Sequence, residues 1–75
     1  MRNVEISERI ERLKNEKASL FTDFSTLLLF MHTSNFVSQV ERKEQRSLMR
    51  DQSEGMLQYY NALSKRIELL EGEAQ

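Results

Sequence analysis

Apolar residues in the first half of the chain follow one another at alternating steps of four and three: Ile6, Ile10, Leu13, Lys17, Leu20, Phe24, Leu27 and Met31. That spacing is a heptad seam with one polar position, Lys17, and it predicts an amphipathic helix. A second, less strict stripe runs through Met49, Gln52, Met56, Tyr59, Leu63, Arg66 and Leu70, widened by Leu48, Tyr60 and Ile67. Between the two stand Thr33, Ser34 and Asn35. Short polar side chains bond their own backbone, and asparagine tolerates the left-handed conformation that stops a helix. Ser38 and Glu41 follow in S-x-x-E spacing, which predicts a capped helix start near Ser38. The pattern thus predicts one domain over 1–75, with a helix over about 4–33, a bend over 33–37 and a helix over about 38–71.

Two long amphipathic helices joined by a short bend pack antiparallel, crossing at about 20°. The expected fold class is therefore all-α, a long antiparallel hairpin with a coiled-coil-like seam. Pairing about the bend sets Leu27 near Gln45, Phe24 near Leu48, Leu20 near Gln52, Leu13 near Tyr59 and Ile10 near Leu63, and it places Lys17 opposite Gly55 and Gln52. Lys17 reads as a polar seam residue that fixes the register, with ligand binding as its alternative role.

Residues 20–40 carry more apolar side chains than one seam can use. Leu27 to Met31 is a run of five, longer than a helical turn, so Leu28 or Phe30 must face away from the opposing helix. Leaving such a side chain in water forgoes roughly 1.5–3 kcal/mol, a large share of a total stability of about 5 kcal/mol. The expectation is a homo-oligomeric helical bundle, a dimer or tetramer, joined through Phe21, Leu28, Leu29, Phe30, Phe36 and Val40. In the alternative, Phe36, Val37 and Val40 fold back as a cap over the bend.

Composition narrows the function classes. The chain has 75 residues, no cysteine, no proline and two glycines. Disulfides and thiolate metal sites are excluded. A formal net charge of -1 gives no field to draw the chain onto nucleic acid or an anionic membrane, so general nucleic-acid binding is not expected. The longest apolar run falls far short of the roughly 20 residues that span a bilayer. Glu5 stands where a secretion signal would be apolar, so a cytoplasmic protein is expected.

Candidate chemistry is sparse. Arg42, Arg46 and Arg50 recur at i, i+4 and i+8 with Lys43 beside them, a basic stripe in which only Arg50 has an acid, Glu54, at helical pairing distance. Glu5 with Arg9 and Glu8 with Arg12 are spaced to pair elsewhere. The stripe suits an acidic partner surface or an anionic small molecule, a solvated face being the alternative. Tyr59 and Tyr60 adjoin, so one faces the seam and the other the surface; Tyr60 is the candidate surface anchor. His32 is the sole histidine and lacks partners at ligand spacing, so neither metal nor cofactor is expected. No nucleotide-binding loop, zinc-protease motif or base-activated nucleophile is present, so an enzyme is not expected either.

The order Phe36-Val37-x-x-Val40, Glu44-Gln45-x-x-Leu48-Met49, Gln52, Met56, Tyr59 or Tyr60, Leu63 and Arg66-Ile67 resembles that of a family of short phage and prophage proteins named after a crAss-like gut phage. The resemblance covers about half of the chain and rests on core-type residues; the Leu27 to Phe30 run is more apolar than that pattern. It implies a helical hairpin of phage origin, acting in the cytoplasm of a bacterial host. Small phage proteins of this class bind host components, so the expected function is an accessory or counter-defence protein that binds and blocks a host protein. Two alternatives stand beside it: an oligomeric sponge for an anionic nucleotide-type signal held by Arg42, Arg46, Arg50 and Lys17, and a coiled-coil adaptor in phage assembly.

Overall fold

The computed structural model describes the backbone of residues 2–74 and the side chains of residues 4–74. Helix α1 spans Arg2–Met31, a single turn α2 spans Phe36–Gln39, and α3 spans Lys43–Ala74. The two long helices lie against each other and make a rod of 55 × 15 × 13 Å. A helix of 32 residues is about 48 Å long, so the rod is one helix length plus its corner. The all-helical hairpin expected from the heptads is what forms. Nothing interrupts it because no proline is present and the two glycines sit in exposed helix, where a Cβ would meet nothing within 4 Å.

The corner is longer than the polar triplet suggests. The amide of His32 bonds Leu28 O at 3.0 Å and that of Thr33 bonds Phe30 O at 3.1 Å, while the Thr33 hydroxyl donates to Phe30 O at 2.7 Å. These bonds close α1 without any left-handed residue: Asn35 has φ -91° and ψ -2°, and no non-glycine residue described has positive φ. The S-x-x-E cap does not form. Ser38 lies inside α2 and its hydroxyl donates to Asn35 O at 3.0 Å, and α3 begins only at Lys43. Arg46 holds the second half of the corner instead. Its Nη1 donates to Val40 O at 2.7 Å and Glu41 O at 2.8 Å, satisfying carbonyls that no helix uses.

The longer corner changes the register. Tyr60, not Gly55 or Gln52, lies opposite Lys17, and Lys14 Nζ stands 3.7 Å from Glu71 Oε2. The seam of α3 also turns by one residue from the expected stripe. It runs through Met49, Ser53, Met56, Tyr60, Leu63, Ile67, Leu70 and Ala74, again at steps of four and three, and leaves Gln52, Tyr59 and Arg66 exposed. Ser53 conceals this phase in the sequence, because a small polar residue does not read as a seam position; here it is buried, its hydroxyl satisfied by Arg50 O at 2.7 Å.

Burial is uneven along the rod. Ile6, Ile10, Leu13, Leu20, Leu63 and Ile67 form the buried cluster, with Leu63 fully enclosed, and they occupy the end away from the corner. In the corner half, Phe24, Leu27, Leu28, Phe30, Met31, Met49 and Met56 are only half-buried. Phe36 is the exception at 4% exposure, its ring edge-on to Phe30 at 5.6 Å between centroids. It is thus covered within one chain rather than held free for a second. Val40 is half-buried and Val37 exposed, so the fold-back over the bend is made chiefly by Phe36.

Two predictions follow from this packing. Leu63→Ala should cost about 2–5 kcal/mol in guanidinium unfolding, as a fully enclosed leucine, whereas Leu69→Ala, on the exposed face, should stay within about 0.5 kcal/mol. Arg46→Gln should lose about 1.5–3 kcal/mol by opening the corner; equal stability of Arg46→Gln and Arg42→Gln would show that the two carbonyl bonds contribute nothing.

Candidate functional site

Each long helix presents two flanks beside its seam. On one flank Arg9, Arg12, Glu16, Arg66 and Glu73 share a shallow groove with Leu13, Leu69 and Leu70. Three arginines and two glutamates line it, so the groove mixes both signs with one positive charge in excess. The other flank carries the Lys14 and Glu71 ion pair at the open end, and then Phe21, Leu28 and Leu57 as heptad steps toward the corner. Phe21 is 53% exposed and Leu57 46%, and Leu28 is half-buried. Leu29, at 71%, points off the back of α1, and Phe30 turns toward the corner against Phe36. The six residues expected at an oligomer interface therefore do not form one surface: Phe21 and Leu28 share a flank, and Phe36 and Phe30 belong to the corner.

Tyr60 is not a surface anchor. Its ring packs against Phe21 at 5.9 Å between centroids, tilted by 46°, and Lys17 Nζ stands 4.9 Å from its centroid. An ammonium over an aromatic face is attracted by the ring quadrupole, which explains how a lysine is tolerated in the seam. Lys17 thus meets a ring of α3, where Gly55 and Gln52 were expected opposite it. Tyr59 is the exposed member of the pair, with Leu48 and Leu69 on the same side of α3 but too far along it to form one patch.

The basic stripe divides. Arg46 is committed to the corner carbonyls, leaving Arg42, Lys43 and Arg50 exposed. Among the described residues the salt bridges are Lys14 with Glu71 and Lys65 with Glu68, so Glu5 with Arg9 and Glu8 with Arg12 stay apart as well. Lack of a partner therefore does not single the stripe out. Position does: Arg42 immediately precedes α3 and Lys43 is its first residue, where the helix already carries positive partial charge. Over residues 41–50 the cations Arg42, Lys43, Arg46 and Arg50 face only Glu41 and Glu44. Lys43 and Arg50 line a shallow depression with Glu44, Ser47 and Leu48. No three His, Asp or Glu side chains among the described residues converge as metal ligands would, and His32 is exposed in the corner. Among the described residues no helix is long and apolar enough to cross a membrane.

The sequence profile described as Sequestin matches residues 7–69. No curated protein and no solved structure matches the chain.

If Tyr60 acts by its ring alone, Tyr60→Phe should leave the unfolding midpoint within about 0.5 kcal/mol of the parent, since the cation and the Phe21 contact both persist. Tyr60→Ala should cost about 2–4 kcal/mol. A large loss in the phenylalanine variant would mean that the hydroxyl, not the ring, is what the seam needs.

Proposed function

The chain belongs to the Sequestin family, and on that premise we propose that it is a self-associating, non-enzymatic binding protein that holds a small anionic, nucleotide-type ligand and so withdraws it from use. The observation that carries this reading is the local excess of positive charge at the corner, Arg42 and Lys43 at the positive end of α3, in a chain whose net charge is -1. A phosphate there meets two mobile cations and the free amides of the first turn of α3. The leucine in the neighbouring depression, Leu48, offers an apolar surface for a base. The family's name suits capture rather than turnover. With the phage origin that the resemblance implies, the ligand is a signal of the bacterial host and the role is counter-defence in the host cytoplasm.

A second reading is that the chain binds and blocks a host protein. Exposed Tyr59, with two large apolar residues on the same side of α3, is the feature that favours it.

Calorimetric titration with a panel of nucleoside mono-, di- and triphosphates tests the first reading. The parent should bind at least one of them and return it chemically unchanged. Arg42→Gln with Lys43→Gln should weaken that binding more than tenfold, since a charge-assisted bond contributes about 1.5–3 kcal/mol, without moving the melting curve. Undiminished binding in the double variant would remove the corner from the reading, and no binding to any nucleotide would favour the protein-blocking alternative.

A further inference from the structure

The flank that carries Phe21 repeats with the heptad on both helices. On α1 it runs Lys14, Phe21, Leu28; on α3 it runs Arg50, Leu57, Ser64, Glu71. The Phe21 ring on Tyr60 sets the level of one helix against the other. Phe21 thus lies about midway between Arg50 and Glu71, within a turn of Leu57 and Ser64 on the same flank. The centre of this flank is thus apolar, one end bears a carboxylate already shared with Lys14, and the other bears Arg50, which makes no salt bridge among the described residues.

We propose that this flank docks a second copy of the chain, reversed end for end about a two-fold axis perpendicular to the rod, so that Arg50 of each copy meets Glu71 of the other. Reversal gives Arg50 a carboxylate and keeps the apolar centre together. Phe21, midway between the charged ends, falls against Phe21 of the second copy, Leu57 against Ser64, and Arg50 against Glu71. The opposite arrangement, with the two-fold axis along the rod, sets α3 against α1 of the other copy and leaves Arg50 facing the corner end of α1, where residues 28–36 hold no carboxylate. A two-helix core of six buried residues is thin for 75 residues, and a second copy supplies the missing cover over the half-buried corner half. The area is sufficient: a face of 55 × 15 Å matches the roughly 800 Å² per partner of a stable interface. The surface itself stands on this geometry, and it deepens the self-association in the reading above; the Arg42 and Lys43 cations remain outside it.

Arg50 and Glu71 lie on one uninterrupted helix, about 31 Å apart, so they cannot touch within a chain and any coupling between them is between chains. Sedimentation equilibrium of the full chain at low salt therefore decides the matter. The parent should be dimeric at about 100 µM, in the range of an interface this size. Arg50→Glu alone sets two carboxylates together at each contact, and Glu71→Arg alone sets two guanidinium groups together. Each should dimerise at least about tenfold more weakly than the parent. An equimolar mixture of the two variants restores both contacts, and should form heterodimers at concentrations where each alone is monomeric. Leu57→Ser, exposed within one chain, should weaken dimerisation similarly while keeping the helical circular dichroism. A monomeric parent, single variants that dimerise like the parent, or a mixture that does not associate would each overturn the proposal. Heterodimers that form while no nucleotide binds would uphold it and refute the ligand-sequestering reading, because the two measurements are separate.

Discussion

Everything in this fold depends on one seam. Each long helix can bury only the a and d positions of its heptads against the other, and those positions are all the core that a two-helix hairpin has. From that limit follow the full enclosure of Leu63, the concentration of burial among Ile6, Ile10, Leu13, Leu20, Leu63 and Ile67, and the treatment of the one charge that falls in the seam. Lys17 is not neutralised by a carboxylate but laid over the Tyr60 ring, half in the seam and half in solvent. Ser53 and Ser64 meet the same requirement by donating to backbone carbonyls one turn back, so neither hydroxyl needs a partner across the interface.

The corner sets which residues reach the seam together. The extra turn of α2, closed by Phe36 against Phe30 and by Arg46 on Val40 O and Glu41 O, consumes chain and so advances α3 relative to α1. A basic residue thereby becomes a structural one. It is drawn out of the stripe at i, i+4 and i+8 because two carbonyls without a helical partner lie within reach of its guanidinium, which donates to both while staying partly in solvent.

What the seam leaves uncovered is where binding can occur. One flank mixes three arginines with two glutamates; the other is apolar in the middle and charged at its ends; and the corner gathers cations at the start of α3. These are separate surfaces. The proposed capture of an anionic ligand would draw on the cations at the corner and the proposed self-association on the apolar flank, so the two can be tested independently.

The sequence by itself determined the two long helices and that they pack against each other, but not their register. The alternating four and three steps on α1 are visible in Ile6 through Met31, and a chain without proline has no reason to depart from helix between them. It also showed a basic stripe over residues 42–50 and an apolar excess near the bend, but it started the second helix near Ser38, so that the cations fall at a helix start was decided by the corner. The phase of α3 was not legible, since Gln52, Tyr59 and Arg66 offer as regular a spacing as Ser53, Tyr60 and Ile67 when each residue is judged alone. Only packing against α1 separates the two stripes, because a one-residue rotation exchanges Ile67 for Arg66 in the core. The same holds for Phe36, Arg46 and Leu57. Whether an aromatic ring caps a corner, whether an arginine binds a carbonyl or a ligand, and whether a leucine stands on a free flank are set by distances between segments far apart in the chain, and those distances exist only once the corner has fixed the register.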